Sequence, residues 1–546
     1  MLLALVFAAI SAPWANIPGD NADSAGMQAH LHAIFESQEL LYDDEYAALG
    51  MSPLFAFVTE EGLVSNHWPI GASFVQAPGW LLGRLAGFAL IGEGVSEHAA
   101  TWTVPLLGLR SWALIVLAWI SVFAYRWLDP QVGRPSAALT ITALLLGTPL
   151  LYYAAESPLR PHLWGFCVVA VLIVRWFAAI DRNSVDPQAA RGRLRDAIEL
   201  AVYAGLATAI RPQLAVLALL VAHERWTASR GLPLAAQLKL LTGHGFACAA
   251  AFAVWPLLIV SMQLWMYGGL GDYGGEVSHH LREFLLSTHH GALIWCPVLV
   301  IGGLGLAIGA ARREPGALLL LGLIAVQIWL DAGTREIEPY TVLGTRTWTG
   351  GTSFGPRKLV DAMPMLLPGV IWLHRWLAEQ SPEQRRRWQR RLGAATILAL
   401  IPTSLLLLAA WLDPKICSTV LDGERLVIAM GLGFDPSNWS AAWAQRGLAP
   451  RIALVIAGVV GVPLALLMVG GMRAGLERAR LRRDWMVVLA YGLAANLWML
   501  HLQGRSEALL REDPNRIERA AERMNPWHEA VVAEIPRHQA VLEERL

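Results

Sequence analysis

Two carboxylates stand three residues apart in Pro18-Gly19-Asp20-Asn21-Ala22-Asp23-Ser24. At that spacing they share a helix face, where they could take a proton from a hydroxyl or hold a divalent cation through oxygen. The same acids could instead cap the helical run AGMQAHLHAIFESQELL by accepting from its orphan N–H groups. Downstream, Ser65-Asn66-His67-Trp68-Pro69-Ile70-Gly71 leads into an apolar helix near Ala72. There His67 could meet a phosphate or a sugar hydroxyl, although a plain Pro/Gly helix entry would read the same way. The turn Glu156-Ser157-Pro158-Leu159-Arg160-Pro161-His162 brings an acid, a guanidinium and an imidazole between apolar runs. Ionisable groups there are costly and mark function by default, the alternative being an interfacial Glu156–Arg160 ion pair. Arg211, ahead of Pro212, is a lone cation at the end of another apolar run. It is either functional or snorkels to headgroups. Last comes Trp348-Thr349-Gly350-Gly351-Thr352-Ser353-Phe354-Gly355-Pro356-Arg357. Its glycines would admit a ligand close to the backbone, and Arg357 could fork onto phosphate oxygens. The Walker spacing and its Lys are absent, so this is no nucleotide loop. His279/His280 and His289/His290 are adjacent pairs whose side chains diverge, which argues for solvated or interfacial residues rather than a metal set.

The elements that must position these groups are apolar. Of 546 residues, 55% are hydrophobic and 16% charged, and 24 are Trp; the mean hydropathy is +0.44. Soluble domains carry roughly 25% charged residues and stop enlarging one core near 250–300 residues, so this composition predicts an integral membrane protein. It excludes intrinsic disorder, whose signature is low hydrophobicity. Four cysteines, three of them in apolar segments, exclude a disulfide scaffold. No basic face or zinc-finger spacing supports nucleic-acid binding.

At about 20 residues per crossing, the candidate spans are about 2–17, 102–125, 136–153, 161–180, 197–210, 212–223, 245–267, 292–311, 316–332, 358–378, 393–412, 451–471 and 484–501. The expected fold is therefore an all-α polytopic membrane protein of about thirteen transmembrane helices. With the N-terminus inside, the basic clusters at Arg182–Arg195, Arg225–Lys239, Arg312/Arg313, Arg385–Arg391 and Arg478–Arg483 all fall on even-numbered connections. That parity favours two short helices around Arg211-Pro212 over one kinked span. It also favours an uncleaved first helix, since MLLALVFAAISAPWA lacks the basic start of a signal peptide. The opposite face receives the long segments, chiefly about 18–100. Within it, 69–91 reads as a helix lying at the interface, with Trp68 and Trp80 at headgroup depth. The tail from 502 to 546 reads as solvated helix. No internal repeat is evident, which weakens an inverted-repeat transporter reading.

Taken in order, the Gly-Asp motif after the first helix, the His-x-Pro-x-Gly helix entry, Glu156 between the third and fourth spans, the stretch GLATAIRPQ and the segment ending in Gly355-Pro356-Arg357 resemble the GT-C superfamily of polyprenyl-phosphate-dependent glycosyltransferases. Specifically, they resemble the bacterial relatives of protein mannosyltransferases and aminoarabinose transferases. The likeness covers about residues 1–380, a GT-C-like catalytic module, and leaves 381–501 as additional C-terminal spans and 502–546 as a charged helical tail. The resemblance implies inverting transfer of a hexosyl or pentosyl group from a polyprenyl-phosphate donor to an acceptor hydroxyl. The expected location is the periplasmic face of the bacterial cytoplasmic membrane. It implies Asp20 and Glu156 as the catalytic carboxylates and Arg211 and Arg357 as the cations on the donor phosphate. Asp23, His67, Arg160, His162 and Trp348 would line the pocket. Asn21 stands where the family pattern commonly has a second acid, so a divalent cation held by Asp20 and Asp23 and a metal-free reaction both remain open. The rival expectation is a transporter or flippase of lipid-linked glycans, with its ionisable residues along a path near the bilayer midplane.

Overall fold

Proline and glycine set many of the helix boundaries. In the computed structural model the described residues are 22–49, 58–59, 61–91, 96–97, 99–185, 194–270, 276–288, 290–336, 354–412, 430, 484–513, 515–516 and 519. The expected spans 2–17 and 451–471, the residues Asp20, His289 and Trp348, and the tail beyond 519 lie outside them. The first helices are α1 (Ala22–His32), α2 (Asp43–Leu49), α3 (Gly71–Ile91), α4 (Val104–Val132), α5 (Arg134–Leu146) and α6 (Leu150–Ala155). Next come α7 (Pro161–Val185), α8 (Leu194–Ile210), α9 (Ala218–Ser229), α10 (Leu234–Ala253) and α11 (Pro256–Tyr267). After strand β1 (Glu276–His279) follow α12 (Leu281–Leu286), α13 (Ala292–Trp295), α14 (Leu299–Ala311) and α15 (Ala317–Ala332). Strand β2 (Gly333–Glu336) pairs antiparallel with β1, Glu276 opposite Glu336. The described elements end with α16 (Leu367–Ala378), α17 (Pro382–Leu412) and α18 (Asp484–Glu512). Pro105, Pro161, Pro256 and Pro382 stand in the first turns of their helices, where a missing N–H costs nothing and φ is already helical.

Among the described residues, five helices are long and apolar enough to cross a membrane, or six if the pair α10/α11, bent by 55°, counts as one span. These helices give the chain the character of a helical membrane protein. Several expected spans are interrupted where proline removes a ladder hydrogen bond. The run 136–153 divides at Gly147-Thr148-Pro149 into α5 and α6, and 245–267 bends ahead of Pro256. The run 358–378 opens with a ten-residue 3-10 helix, Arg357–Leu366, containing Pro364. Around Arg211 the chain forms α8, an extended residue, a 3-10 turn over Pro212–Leu217, and then α9.

Among the candidate spans described, α7 is the most enclosed. Fully 89% of its most apolar window lies inside the protein, against 22% for α18. Around it pack α4, α8, α9 and the 3-10 helix 357–366. Two crossings depend on glycine. A Cβ on Gly305 of α14 would collide with the backbone of Gly369 on α16, so the two helices touch main chain to main chain. On α3, Gly79, Gly83 and Gly87 lie against Leu109, Pro105 and Ala100 of the antiparallel α4 side.

The stretch 69–91, expected as a helix lying at the interface, is helical over Gly71–Ile91. α3 is continuous over 21 residues and would be long enough to span. It nevertheless begins against Ala209 at the end of α8 and pairs with the first third of α4. The later turns of α4 run beside α7, Trp127 meeting Phe177. α3 therefore extends beyond the N-terminal end of α7 rather than alongside it. Trp68 and Trp80, expected at headgroup depth, are buried at 9% and 0% exposure.

Candidate functional site

The turn before α7 is fixed by its carbonyls. Trp164 Nε1 donates to Pro158 O at 2.7 Å, and the buried Gln76 of α3 donates to Leu159 O at 2.6 Å. This places Arg160, only 1% exposed, at the top of α7. The guanidinium of Arg160 acts electrostatically on Asp23 and on Arg357. Glu156, the C-cap of α6 on the same turn, faces Arg110 of α4 through a charge interaction. The Glu156–Arg160 ion pair expected as the plain alternative is not among the described salt bridges.

Asp23, in the first turn of α1, is held from two sides. Its Oδ2 pairs with Arg357, and its Oδ1 accepts from Trp68 Nε1 at 3.0 Å. Burial alone would raise this carboxyl. The Arg357 and Arg160 charges and the two donated hydrogen bonds outweigh it and hold Asp23 well below the usual carboxylate range. His67 stacks on Trp68 with ring centroids 3.8 Å apart. The loop they share is tied to α1, since Asn66 Nδ2 donates to Gly26 O at 3.0 Å and His30 Nε2 lies 2.9 Å from Trp68 O. Gly26 sits under the Trp68 ring, where a Cβ would not fit.

A second cluster adjoins the first through Arg357 and Lys358. Pro212 ends α8, and Arg211 leaves it in extended conformation. Its guanidinium pairs with Asp361, lies 3.6 Å from Asp331, and donates to Lys358 O at 2.8 Å and to His162 Nδ1 at 3.1 Å. Arg211 is thus buried and paired rather than snorkelling. His162 Nδ1 is also 3.7 Å from Asp361. The approach to Arg357 is braced by Tyr153, whose hydroxyl donates to Phe354 O at 3.0 Å.

Of the residues singled out from sequence, Asp23, His67, Arg160, His162, Arg211 and Arg357 come together at one end of α7 and α8. Sequence reasoning missed Asp331, Lys358, Asp361 and the donor role of Trp68. An acid at each of positions 331 and 361 inside apolar runs was the available signal. The region gathers four cations, Arg160, Arg211, Arg357 and Lys358, against Asp23, Asp331 and Asp361.

Of the Asp20/Asp23 pair expected as a cation site, Asp20 lies outside the described residues, while the Asp23 oxygens accept from Trp68 and Arg357. Glu39, Asp43 and Asp44 form a closer acidic cluster, but Arg516 occupies it with contacts of 2.6, 2.9 and 3.2 Å. His279 stacks on Trp329 and His290 packs edge-on to Trp295, with no metal-ligand grouping of histidines among the described residues.

Burial pushes His30 and His67 down to about 4; for His67 the Asp23 charge opposes that burial, and for His30 the Trp68 carbonyl does. Both rings are neutral in the folded state while the unfolded chain takes up protons below about 6.5. Stability is therefore full above pH 6.5 and falls as pH drops toward 4, each ring contributing on the order of 3 kcal/mol across that window. Thermal unfolding of the purified protein between pH 7.5 and 4.5 should show this decline. The double variant His30→Gln/His67→Gln should make the decline shallower, and an unchanged profile would count against these two rings.

No family model matches the chain, and no curated protein or solved structure matches it.

Proposed function

We propose that the chain is a membrane glycosyltransferase that moves a hexosyl or pentosyl group from a polyprenyl-phosphate-linked donor to an acceptor hydroxyl of a lipid, glycan or protein, with inversion. The site would open on the periplasmic face of a bacterial cytoplasmic membrane, in a GT-C-like fold of about thirteen spans. The observation that carries this reading is the meeting of Arg160, Arg211, Arg357 and Lys358 with His162 and Asp23 at one end of α7 and α8.

A phosphate-linked sugar already carries a good leaving group, so catalysis is mainly positioning, proton removal and neutralisation of the departing charge. The acceptor oxygen attacks the anomeric carbon opposite the phosphate, and the bond from that carbon to the phosphate oxygen breaks. The hydroxyl proton passes to a carboxylate, Asp20 or Glu156. Arg357 and Arg160 meet the departing phosphate, with Arg211 behind them holding the 3-10 helix through Asp361. Asp23 keeps Arg357 oriented until the phosphate arrives.

A transporter or flippase would call for ionisable groups along a path through the midplane; grouping at one end favours the enzyme. Mass spectrometry of envelope lipids and glycans from cells with and without the protein tests the activity and identifies the acceptor. Asp20→Asn should abolish transfer while expression persists, and retained transfer would remove Asp20 as the base.

A further inference from the structure

The end of the bundle opposite the Arg211 cluster carries a second feature. A cleft of about 460 Å³ lies between α5, α14, α16 and α17. Its walls are aliphatic, with Leu139, Val298, Leu366 and Val370 among them. It runs from Met363, near the functional cluster, down to Pro135, His374 and Gln389. From Met363 in the 3-10 helix to His374 and Leu377 on α16 is roughly 18–23 Å of helical rise, about the length of one extended acyl chain. Ser136, His374 and Gln389 make the lower end the more polar one, with Thr140 and Thr396 the polar residues farther up.

Cations flank that end. Arg134 immediately precedes Pro135; its side chain is 85% exposed and its Nε lies 3.8 Å from Asp129, a loose surface contact that leaves the guanidinium accessible. On α17 the cleft is lined by Gln389, Leu392, Gly393 and Thr396, a single helix stripe. Arg386, three residues before Gln389, continues the same stripe toward the helix start, and Arg390 adjoins it; both are exposed. Arg385 is engaged otherwise, donating to the terminal carbonyls of α16 at Leu377 and Ala378, and so holds α17 at the cleft mouth.

We propose that this cleft binds an anionic phospholipid, one acyl chain lying between α5, α14, α16 and α17 and the phosphate headgroup meeting Arg134, Arg386 and Arg390. Charge complementarity at the mouth selects an anionic headgroup over a zwitterionic one, since each basic residue at a lipid surface adds attraction for negative lipid. The aliphatic walls select a lipid over free phosphate. The site is separate from the sugar-transfer reading and stands whether or not the chain is a transferase.

Native mass spectrometry of the full chain in detergent, titrated with phosphatidylglycerol, phosphatidylcholine or glycerol phosphate, tests it. Phosphatidylglycerol should bind in preference to the other two. Arg134→Gln/Arg386→Gln/Arg390→Gln, all at exposed positions, should weaken that binding on the order of 100-fold and equalise the two phospholipids. Ala143→Phe, which fills the cleft, should remove both phospholipids while leaving the thermal midpoint of the lipid-free protein near wild type. If Ala143→Phe lowers that midpoint, Thr140→Leu takes its place as the filling variant. Equal binding of the two phospholipids by the wild type, or unchanged phosphatidylglycerol binding in the triple or filling variant, overturns the proposal.

Discussion

Arg211→Met is expected to destabilise the folded bundle by about 3–5 kcal/mol, because it strands two carboxylates where water does not reach them. Asp331 is 2% exposed and Asp361 0%, and the side chain of Arg211 is the cation both of them face. It also donates to Lys358 O, so its removal loosens the first turn of the 3-10 helix that carries Arg357. Met keeps most of the side-chain volume, which confines the change to the charge and its hydrogen bonds. A double-mutant cycle separates the terms. Asp361→Asn in the Arg211→Met background should recover part of the loss, since the amide no longer carries a buried charge. Arg211→Lys should fall between, as a point charge cannot serve Asp361, Asp331 and Lys358 O together. Denaturant titration in detergent micelles of wild type, Arg211→Met, Asp361→Asn, the double variant and Arg211→Lys measures these terms, and an Arg211→Met protein as stable as wild type would show that the pairing is not structural.

The helices that bring this cluster together were readable from sequence to different degrees. Pro161–Arg182 combines high hydropathy with a proline start, and its span stands out directly. α5 and α6 were run together as 136–153 because hydropathy averages over Gly147-Thr148-Pro149. The break depends on one missing N–H and one turn, which composition does not register. For the site, Asp23, Arg160, His162, Arg211 and Arg357 were legible because each is ionisable beside apolar sequence. Their partners were not. Arg211 and Asp361 are 150 residues apart, and nothing local to either encodes the other. Asp361 sits among Val360, Ala362 and Met363, where it reads as one polar position in a span. Trp68 carried the opposite ambiguity: an indole is at home in a headgroup layer, and here its N–H is spent on Asp23.

On the proposed glycosyltransferase reading, Arg357→Ala is expected to lower the rate of sugar transfer by about 100- to 1000-fold, the size of effect seen when one preorganised charge donor is removed from a developing anion. The argument turns on what Asp23 does when the guanidinium is gone. In the folded protein Asp23 keeps its charge against burial through Arg357, Arg160 and the Trp68 N–H. Without Arg357 two of those three supports remain, so the loop from Ser65 to Trp68 stays anchored to α1 through Asn66 and His30. The loss should therefore fall on the donor: the concentration of polyprenyl-phosphate sugar giving half-maximal rate rises, and the dependence on acceptor is unchanged. Asp23→Asn makes the complementary test. It retains a group that accepts from Trp68 but releases Arg357 from its ion pair, so donor binding should change far less than in Arg357→Ala. Arg357→Lys restores the charge without the fork and should regain part of the rate. Equal donor dependence in wild type and Arg357→Ala would remove Arg357 from the phosphate and leave it as a brace for Asp23. The three variants together thus distinguish a guanidinium that meets the leaving group from one that only holds the first loop in place.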